Sequence, residues 1–272
     1  MSVATEKTMY LPEIMAHTRR VVAERRASAD VRAMERAAAA HQPRGFARAL
    51  RAKAASEGVA VIAELKKASP SKGLIRAEFD AALLAPMLQR GGAAVLSVLT
   101  DEKFFQGSLE NLRRASAAVT IPCLRKDFMV DPFQVLEARA NGADAILLIV
   151  AALTDGELRV LRDSAREFGL DVLCEVHDAE ELQRARMLEC ECVGVNSRDL
   201  KTFEVSLDRA CELAADLPQS AVRVAESGIH TAADMQRLRA AGYEAFLIGE
   251  SLMRQPSPEV ALHTLLAGVT GV

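Results

Sequence analysis

The chain has 272 residues, 50% of them hydrophobic and 26% charged, a composition typical of a globular protein with material for one large core. Its 34 basic and 37 acidic residues give a net charge of -3, so the charge balance indicates neither a nucleic-acid nor a membrane surface. No apolar run approaches the roughly 20 residues that a membrane helix needs, and no signal-peptide core is visible. The five cysteines are odd in number and lack metal-site spacing, which indicates reduced thiols and a cytoplasmic protein.

Residues 1–57 are rich in alanine and arginine and contain no convincing strand. Helices are predicted at 11–26, 30–40 and 46–56, with a break at 41–45. Pro12 lies near the start of the first helix, where proline is tolerated. The segment is expected to form a helical extension that caps one end of the main body.

From Val59 onward, apolar runs alternate with amphipathic stretches. The predicted strands are 59–65, 93–99, 121–125, 144–149, 171–176, 192–195, 222–225 and 244–248. The predicted helices are 78–90, 108–118, 132–141, 154–168, 178–188, 206–216, 231–241 and 257–267. Thr154 with Glu157, and Thr231 with Asp234, are spaced as capping boxes. Glycines suited to a left-handed C-cap follow four helices: Gly91, Gly142, Gly169 and Gly242.

Eight strands alternating with eight helices predict parallel strands with helical crossovers. Eight such units in about 210 residues favour a closed (β/α)₈ TIM barrel over an open doubly wound sheet. No G-x-G-x-x-G motif follows the first strand, which disfavours a dinucleotide-binding fold. We therefore expect a single barrel domain over 59–272 with 1–57 as its extension.

Polar residues end several of the predicted strands, where a barrel of this type carries its chemistry. Glu64 and Lys66 end the first strand and share one face of it, because side chains two residues apart point the same way. Further strand ends contribute Lys126, Glu175, Asn196 and Glu226. Internal ion pairs would explain one such strand end. Charges converging from several strands favour a functional site, because buried charges are costly.

The last two strand ends carry small residues immediately before helical segments, in Glu226-Ser227-Gly228 and Gly249-Glu250-Ser251. Glycine lets backbone N–H groups approach an anion, and a helix N-terminus attracts one. Phosphate sites in such barrels follow strands seven and eight. The placement predicts a phosphorylated small-molecule substrate.

Seven stretches of the sequence match one family in order and spacing. They are IAELKKASPSKG (62–73), LSVLTD (96–101) with FFQGS (104–108), LRKDF (124–128), GVNSRDL (194–200), AESGI (225–229) and IGESLM (248–253). From about Phe46 to Met253 the chain resembles the indole-3-glycerol phosphate synthase family of tryptophan biosynthesis. In this family the N-terminal extension lies over the barrel mouth, which predicts that 1–57 caps the catalytic face.

The resemblance implies the substrate 1-(2-carboxyphenylamino)-1-deoxyribulose 5-phosphate, with indole-3-glycerol phosphate, carbon dioxide and water as products, and neither cofactor nor metal ion. Lys126 matches the general acid of ring closure. Glu175 matches a residue that acts as an acid or base in the second half of the reaction, after ring closure. Lys66 either binds the substrate carboxylate or donates the second proton. Glu64 and Asn196 match orienting residues. A further active-site residue is matched by Glu226.

The resemblance also implies residues that bind the substrate. Those that fall where the family holds the phosphate are Ser69, Gly228, Gly249, Glu250 and Ser251. Those implied to contact other parts of the substrate are Ser227, Arg198, Phe105, Phe128 and Leu147. For the two phenylalanines, ordinary core packing is an equal alternative. The loop 69–73 is expected to be a mobile flap.

The chain departs from the family pattern in two respects. It has no tryptophan, although some relatives use one near the substrate ring. Glu250 stands where some members have serine, so its side chain is expected to turn away from the phosphate or pair with a cation. Of the five histidines only His177 falls near the site, and none is assigned a role.

Three alternative functions follow from the same residues. A Schiff-base aldolase-type barrel would use Lys126 or Lys66 as nucleophile. A non-catalytic barrel would only bind a phosphorylated ligand, which gives no reason for three buried glutamates. An isomerase of phosphoribosylanthranilate gives no reason for two lysines. The chain is expected to be a monomer or a weak homo-oligomer.

Overall fold

Eight parallel strands close into a barrel in the computed structural model, which describes residues 10–199 and 204–270. They are β1 (Ala60–Leu65), β2 (Val95–Leu99), β3 (Cys123–Lys126), β4 (Ala145–Ile149), β5 (Asp171–Val176), β6 (Cys192–Asn196), β7 (Val222–Glu226) and β8 (Ala245–Ile248). Each strand pairs with its neighbours in sequence, and β1 closes the barrel by pairing with β8, with Ala60 opposite Ala245. The predicted (β/α)₈ barrel is confirmed, and each predicted strand lies within two residues of an observed one.

Eleven helices of seven residues or more lie within the described residues. Three precede the barrel: α1 (Tyr10–Ser28), α2 (Val31–Ala40) and α3 (Phe46–Glu57). Eight follow the strands: α4 (Ala81–Arg90), α5 (Leu109–Ala118), α6 (Pro132–Ala140), α7 (Asp155–Glu167), α8 (Ala179–Arg186), α9 (Leu207–Leu213), α10 (Ala232–Ala241) and α11 (Pro258–Thr270). Single-turn helices span Glu102–Phe105 and Glu250–Met253, and 3₁₀ turns span Val150–Ala152 and Ala214–Asp216. A small antiparallel hairpin pairs the two-residue strands Ala68–Ser69 and Gly73–Leu74.

The helix signals in the sequence are observed with one exception. Both capping boxes form, at the starts of α7 and α10. Gly142, Gly169 and Gly242 are left-handed as predicted, but the prediction for Gly91 is wrong. Its φ is -67°, and it extends α4 in right-handed geometry. The small size of Gly91 serves packing instead, because a Cβ there would lie 2.8 Å from the Glu259 carbonyl oxygen.

Alternation along the strands divides the core into two clusters. Val61, Ala63 and Leu65 of β1 point outward toward the helices, whereas Ala60 and Ile62 point into the barrel. The inner cluster also contains Phe46 and the rest of one face of α3. Helix α3 therefore closes the N-terminal end of the barrel, the end opposite the polar strand ends. The prediction that the whole of 1–57 caps the catalytic face is wrong for α3, because the apolar face of α3 packs into the other end of the barrel.

A buried carboxylate anchors the break between α2 and α3 to the barrel. Asp144 is fully buried and accepts hydrogen bonds from the Arg44 side chain at 2.6 Å and from the backbone N–H of Cys123 at 2.6 Å. Burial alone would raise the pKa of Asp144, but the hydrogen bonds from His41 and Arg44 outweigh it and hold the pKa below its usual value. This anchor positions α3 under the barrel.

Within residues 10–199 and 204–270, no helix combines the length and apolar character required to cross a membrane. Some predictions lie outside the described residues. They concern the parts of the predicted domain at 1–9 and 271–272, and Leu200 of the GVNSRDL motif.

Candidate active site

A cavity of about 170 Å³ opens at the C-terminal ends of the strands. The predicted catalytic residues all line it: Glu64, Lys66, Lys126, Glu175, Asn196 and Glu226. It is also lined by Ser69, Phe105, Phe128, Leu147, Arg198, Ser227 and Glu250. The remaining predicted residues, Gly228, Gly249 and Ser251, line an adjoining cavity that shares Glu64, Lys66, Arg198, Ser227 and Glu250 with the first. The structure thus brings every predicted site residue to one end of the barrel.

Lys126 occupies the centre of the polar cluster. It is the last residue of β3 and points inward because Leu124, two residues earlier, faces the barrel interior. Its Nζ donates to Glu175 Oε2 at 2.7 Å and to Glu226 Oε2 at 2.9 Å. Burial alone would lower the pKa of Lys126, but Glu175, Glu226 and Glu64 outweigh burial and raise the pKa above its ordinary value. Lys126 is therefore a cation at neutral pH.

Glu175 and Glu226 share Lys126 but differ in their ionisation. For Glu175 burial would raise the pKa, but Lys126 and His177 outweigh it and hold the pKa well below its usual range. For Glu226 burial dominates, Lys126 opposes it, and repulsion from Glu175 adds to it, so its pKa rises to about 7. Two carboxylates whose environments separate their pKa values are typical of acid–base sites.

Glu64 and Lys66 form a second pair beside this cluster. Lys66 Nζ lies 2.6 Å from Glu64 Oε1, and Ser97 donates its hydroxyl to Glu64 Oε2 at 3.3 Å. Lys66 follows the last residue of β1 and lines both cavities. A second cation therefore stands between the two spaces.

Glycines on two strands leave room for the buried carboxylates. A Cβ on Gly194 of β6 would overlap Glu226 Oε1, and a Cβ on Gly249 would lie 2.6 Å from Glu64 Oε1. The sequence predicts Gly249 as a phosphate contact through its backbone, and the structure adds a second reason for its small size. Gly194 lies within a family motif, but its spatial role could not be predicted from the motif.

The turn after β7 has an unusual backbone. Ser227 has a φ of 68°, in the left-handed region that serine rarely adopts, and Gly228 follows with 76°. Both residues line the adjoining cavity, which also receives Lys72 and His230. Glu250 borders the same space, and Arg254 Nε donates to its Oε1 at 3.0 Å. Pairing with a cation is one of the two outcomes predicted for Glu250.

Two apolar walls face the polar cluster. Phe105 and Phe128 both line the first cavity, with ring centroids 6.3 Å apart, and Phe128 also packs against both core clusters. The second apolar wall comes from outside the barrel, where α1 contributes Leu11 and Ile14 to the cavity lining. These two residues were not predicted, and their only sequence signal is apolar character at helical spacing in α1.

The contacts of His177, which is buried at 7% exposure, were not predicted from the sequence. Its Nε2 lies 3.3 Å from Glu175 Oε1, and its Nδ1 lies 3.0 Å from Glu181 Oε2. The only signal in the sequence is its position two residues after Glu175, which places both on one face of the chain.

The family model for indole-3-glycerol phosphate synthase matches residues 11–265. The chain belongs to the indole-3-glycerol phosphate synthase family. A protein named indole-3-glycerol phosphate synthase from Koribacter versatilis (strain Ellin345) is 60% identical over 256 residues, which cover 94% of this chain and 98% of the relative. One of the same name from Azospirillum brasilense is 49% identical, again over 94% of this chain and 98% of the relative.

Solved structures share the fold at low sequence identity. Thiamine phosphate pyrophosphorylase from Pyrococcus furiosus has a TM-score of 0.60 at 15% identity, covering 79% of this chain and 97% of its own. 3-Hexulose-6-phosphate synthase from Salmonella typhimurium has a TM-score of 0.63 at 10% identity, and the match covers 78% of this chain and 99% of that protein. At this identity the likeness shows the barrel fold alone.

Proposed function

We propose that this chain converts 1-(2-carboxyphenylamino)-1-deoxyribulose 5-phosphate into indole-3-glycerol phosphate, carbon dioxide and water, a step of tryptophan biosynthesis. The observation that carries the proposal is the contact of one ammonium group, Lys126 Nζ, with both Glu175 and Glu226 in the cavity at the strand ends. Together with membership of the family, this arrangement supports a carboxy-lyase that works by proton transfer.

Ring closure requires a proton donor. The ring carbon that bears the carboxylate attacks the ketone carbon, a C–C bond forms, and the ketone oxygen takes up a proton to become a hydroxyl. We assign this proton to Lys126, which is cationic and largely buried at the centre of the site. Carbon dioxide then leaves, and the electrons of the broken C–C bond return to the aromatic ring.

Dehydration requires an acid and a base. The hydroxyl leaves as water when it receives a second proton, and the carbon next to the nitrogen loses a proton to form the new double bond. We assign the second proton to Lys66 and the removal of the C–H proton to Glu175, whose low pKa keeps it ionised.

Glu226, with a pKa of about 7, restores the proton of Lys126. Asn196 donates to Glu175 Oε1 at 3.1 Å and orients the base, as Glu64 orients Lys66.

The adjoining cavity is assigned to the substrate phosphate. Gly228, Gly249 and Ser251 line it, and glycine admits close approach of backbone N–H groups to an anion. Arg198 and Ser69 contact the substrate between the two spaces, and Phe105, Phe128 and Leu147 form walls for its aromatic ring.

Helix α1 completes the site by contributing Leu11 and Ile14 to its lining. We therefore propose that 1–57 and 59–272 act as one domain, and that these two apolar side chains take the place of the tryptophan that the chain lacks. Location in the cytoplasm is part of the proposal and agrees with the free thiols of all five cysteines. A monomer or weak homo-oligomer stays a prediction.

The charge on Lys126 argues against Lys126 as the nucleophile of the Schiff-base alternative. A Schiff-base lysine needs a neutral amine, whereas the surrounding carboxylates raise the pKa of Lys126. A barrel that only binds a phosphorylated ligand would not require Glu64, Glu175 and Glu226 beside the phosphate space.

The test is fluorescence-monitored formation of the indole product from the carboxyphenylamino substrate, without added metal and with a chelator present. We expect turnover, and borohydride added with substrate should trap no covalent adduct. Absence of the indole product contradicts the proposed reaction, and a trapped lysine adduct supports the aldolase-type alternative.

A further inference from the structure

We propose that His177, buried beside the active-site cavity, is a positioning residue that determines which of the two carboxylates on Lys126 carries the negative charge. The inference rests on the proposed role of Glu175 as the base. It assigns a task to a histidine that has no place in the reaction scheme above.

The first observation is a chain of three side chains that leads away from the site. Glu175 is on β5 and points into the barrel, and His177 follows on the same face just beyond the strand end. His177 Nε2 lies 3.3 Å from Glu175 Oε1, within ion-pair distance but without the geometry of a hydrogen bond. Its opposite nitrogen, Nδ1, lies 3.0 Å from Glu181 Oε2, which also accepts the backbone N–H of His177 at 2.8 Å.

Glu181 is itself held in place by the start of α8. The side chain of Asp178 caps that helix by accepting the backbone N–H of Glu181 at 2.9 Å. Glu181 reaches back from the first turn to bind His177 through two contacts. The imidazole is therefore fixed from one side and presented to Glu175 on the other.

The second point is the charge that two neighbouring carboxylates favour on the imidazole. Burial alone would lower the pKa of His177, but Glu175 and Glu181 outweigh burial and raise the pKa to about 10. His177 is thus protonated at neutral pH, and both nitrogens carry protons. The ionisable groups that act on its partner Glu175 are Lys126 from β3, Glu226 from β7 and His177 itself.

The third observation is the asymmetry between the two carboxylates. Lys126 contacts both at similar distances, 2.7 Å to Glu175 and 2.9 Å to Glu226. Glu175 has a second cation, His177, and an amide donor, Asn196, at its other oxygen. Glu226 Oε1, by contrast, is buried without a hydrogen-bond partner among the described residues. The charge of His177 therefore favours ionised Glu175 and leaves the proton to Glu226.

The experiment compares His177→Gln, Glu181→Gln and the control Glu180→Gln. Glutamine keeps a neutral donor near the Nε2 position of histidine but removes the charge, whereas Glu180 is exposed on the same helix as Glu181. The measurements are kcat and KM for the indole product between pH 5 and 9, and the NMR titration of the His177 ring in wild type, Glu175→Gln and Glu181→Gln.

In His177→Gln the proton shared by the two carboxylates should lie largely on Glu175, so we expect kcat below pH 7 to fall about tenfold and to recover as the pH rises through 7, which gives an acid limb that wild type lacks in this range. The KM should stay within about twofold of wild type. The direction follows because loss of a neighbouring cation raises the pKa of a carboxylate that must be ionised. Glu181→Gln should give the same limb with a smaller fall in kcat, because the imidazole then loses its proton more readily. Glu180→Gln should match wild type.

Two results would overturn the inference. One is an unchanged kcat profile in both His177→Gln and Glu181→Gln, even if the melting temperature falls, since a structural role alone would give that pattern. The other is an NMR titration of His177 that is unaffected by Glu175→Gln. The NMR test needs no turnover, so a wild-type protein that forms no indole product would refute the proposed function and still leave the contact between His177 and Glu175 testable.

Discussion

Glu175 and Glu226 approach the same ammonium group from strands that are not neighbours in the barrel, yet their pKa values move in opposite directions. The carboxylate of Glu175 is held well below its usual pKa, whereas that of Glu226 rises to about 7. Their common partner, Lys126, cannot cause the difference, because it lowers the pKa of both. The difference arises because His177 lowers the pKa of Glu175, whereas repulsion from Glu175 and Glu64 adds to the effect of burial on Glu226.

Replacement of Lys126 by methionine tests the centre of this arrangement. Methionine retains much of the side-chain volume but has no proton to donate, so kcat should fall by about 10²- to 10⁴-fold. Substrate binding, measured by fluorescence titration, should remain within about tenfold of wild type. Lys103→Met, which alters an exposed lysine near the same end of the barrel, is the control. Turnover near the wild-type rate in Lys126→Met would contradict its assignment as the general acid.

The raised pKa of Glu226 predicts that the stability of the protein depends on pH. The unfolded chain loses the Glu226 proton near the ordinary pKa of 4.5, whereas the folded protein holds it to about pH 7. This contribution to the free energy of unfolding is fully present below pH 4.5 and is lost as the pH rises through 7. Glutamine has no proton to lose, so Glu226→Gln should gain stability relative to wild type between pH 5 and 8, by on the order of 1–3 kcal/mol.

Urea denaturation at pH 5, 6, 7 and 8 measures that difference for the Glu226 variant. The lowered pKa of Glu175 acts below pH 4.5, outside this range. Titration of His177 occurs in both proteins and is largely removed when the two are subtracted. A stability difference that stays constant with pH would show that Glu226 ionises normally in the folded protein.

The fold and most of the site could be predicted because their signals are local. Apolar runs, helix caps and polar strand ends each depend on a few adjacent residues, and the rules of the barrel place the strand ends together. Thus Glu64, Lys126 and Glu226 could be assigned to one end of the barrel although they are far apart in sequence.

Several of the contacts that were missed depend on packing between distant segments. The burial of Asp144 under Arg44 joins two segments 100 residues apart, and α3 closes the barrel end opposite the site. Gly91 is a second example, because the backbone of Glu259 packs against it and requires its small size, whereas the end of its own helix does not. Sequence spacing alone carries no information on such contacts.

Gly194 offers a test of how closely the site is packed. A Cβ at this position would overlap Glu226 Oε1, so Gly194→Ala should displace Glu226 from Lys126. We expect kcat to fall by about tenfold or more and the free energy of unfolding to drop by about 1–3 kcal/mol, from overpacking in a dense interior. The matched control is Gly156→Ala, because a Cβ there would have no neighbour within 4 Å. Wild-type kcat in Gly194→Ala would show that the carboxylate can move without consequence.

Ile14 tests whether α1 takes part in substrate binding. It is 6% exposed and lines the cavity, whereas Met15, the next residue, is buried in the outer core cluster and does not line the cavity. Ile14→Ala should raise KM by about tenfold, because a few methyl or methylene groups in an apolar pocket contribute roughly 1–3 kcal/mol to binding. The value of kcat should change little, since Ile14 offers no proton. Met15→Ala controls for a loosened helix, and an equal rise of KM in both variants would show that α1 acts only by its general packing.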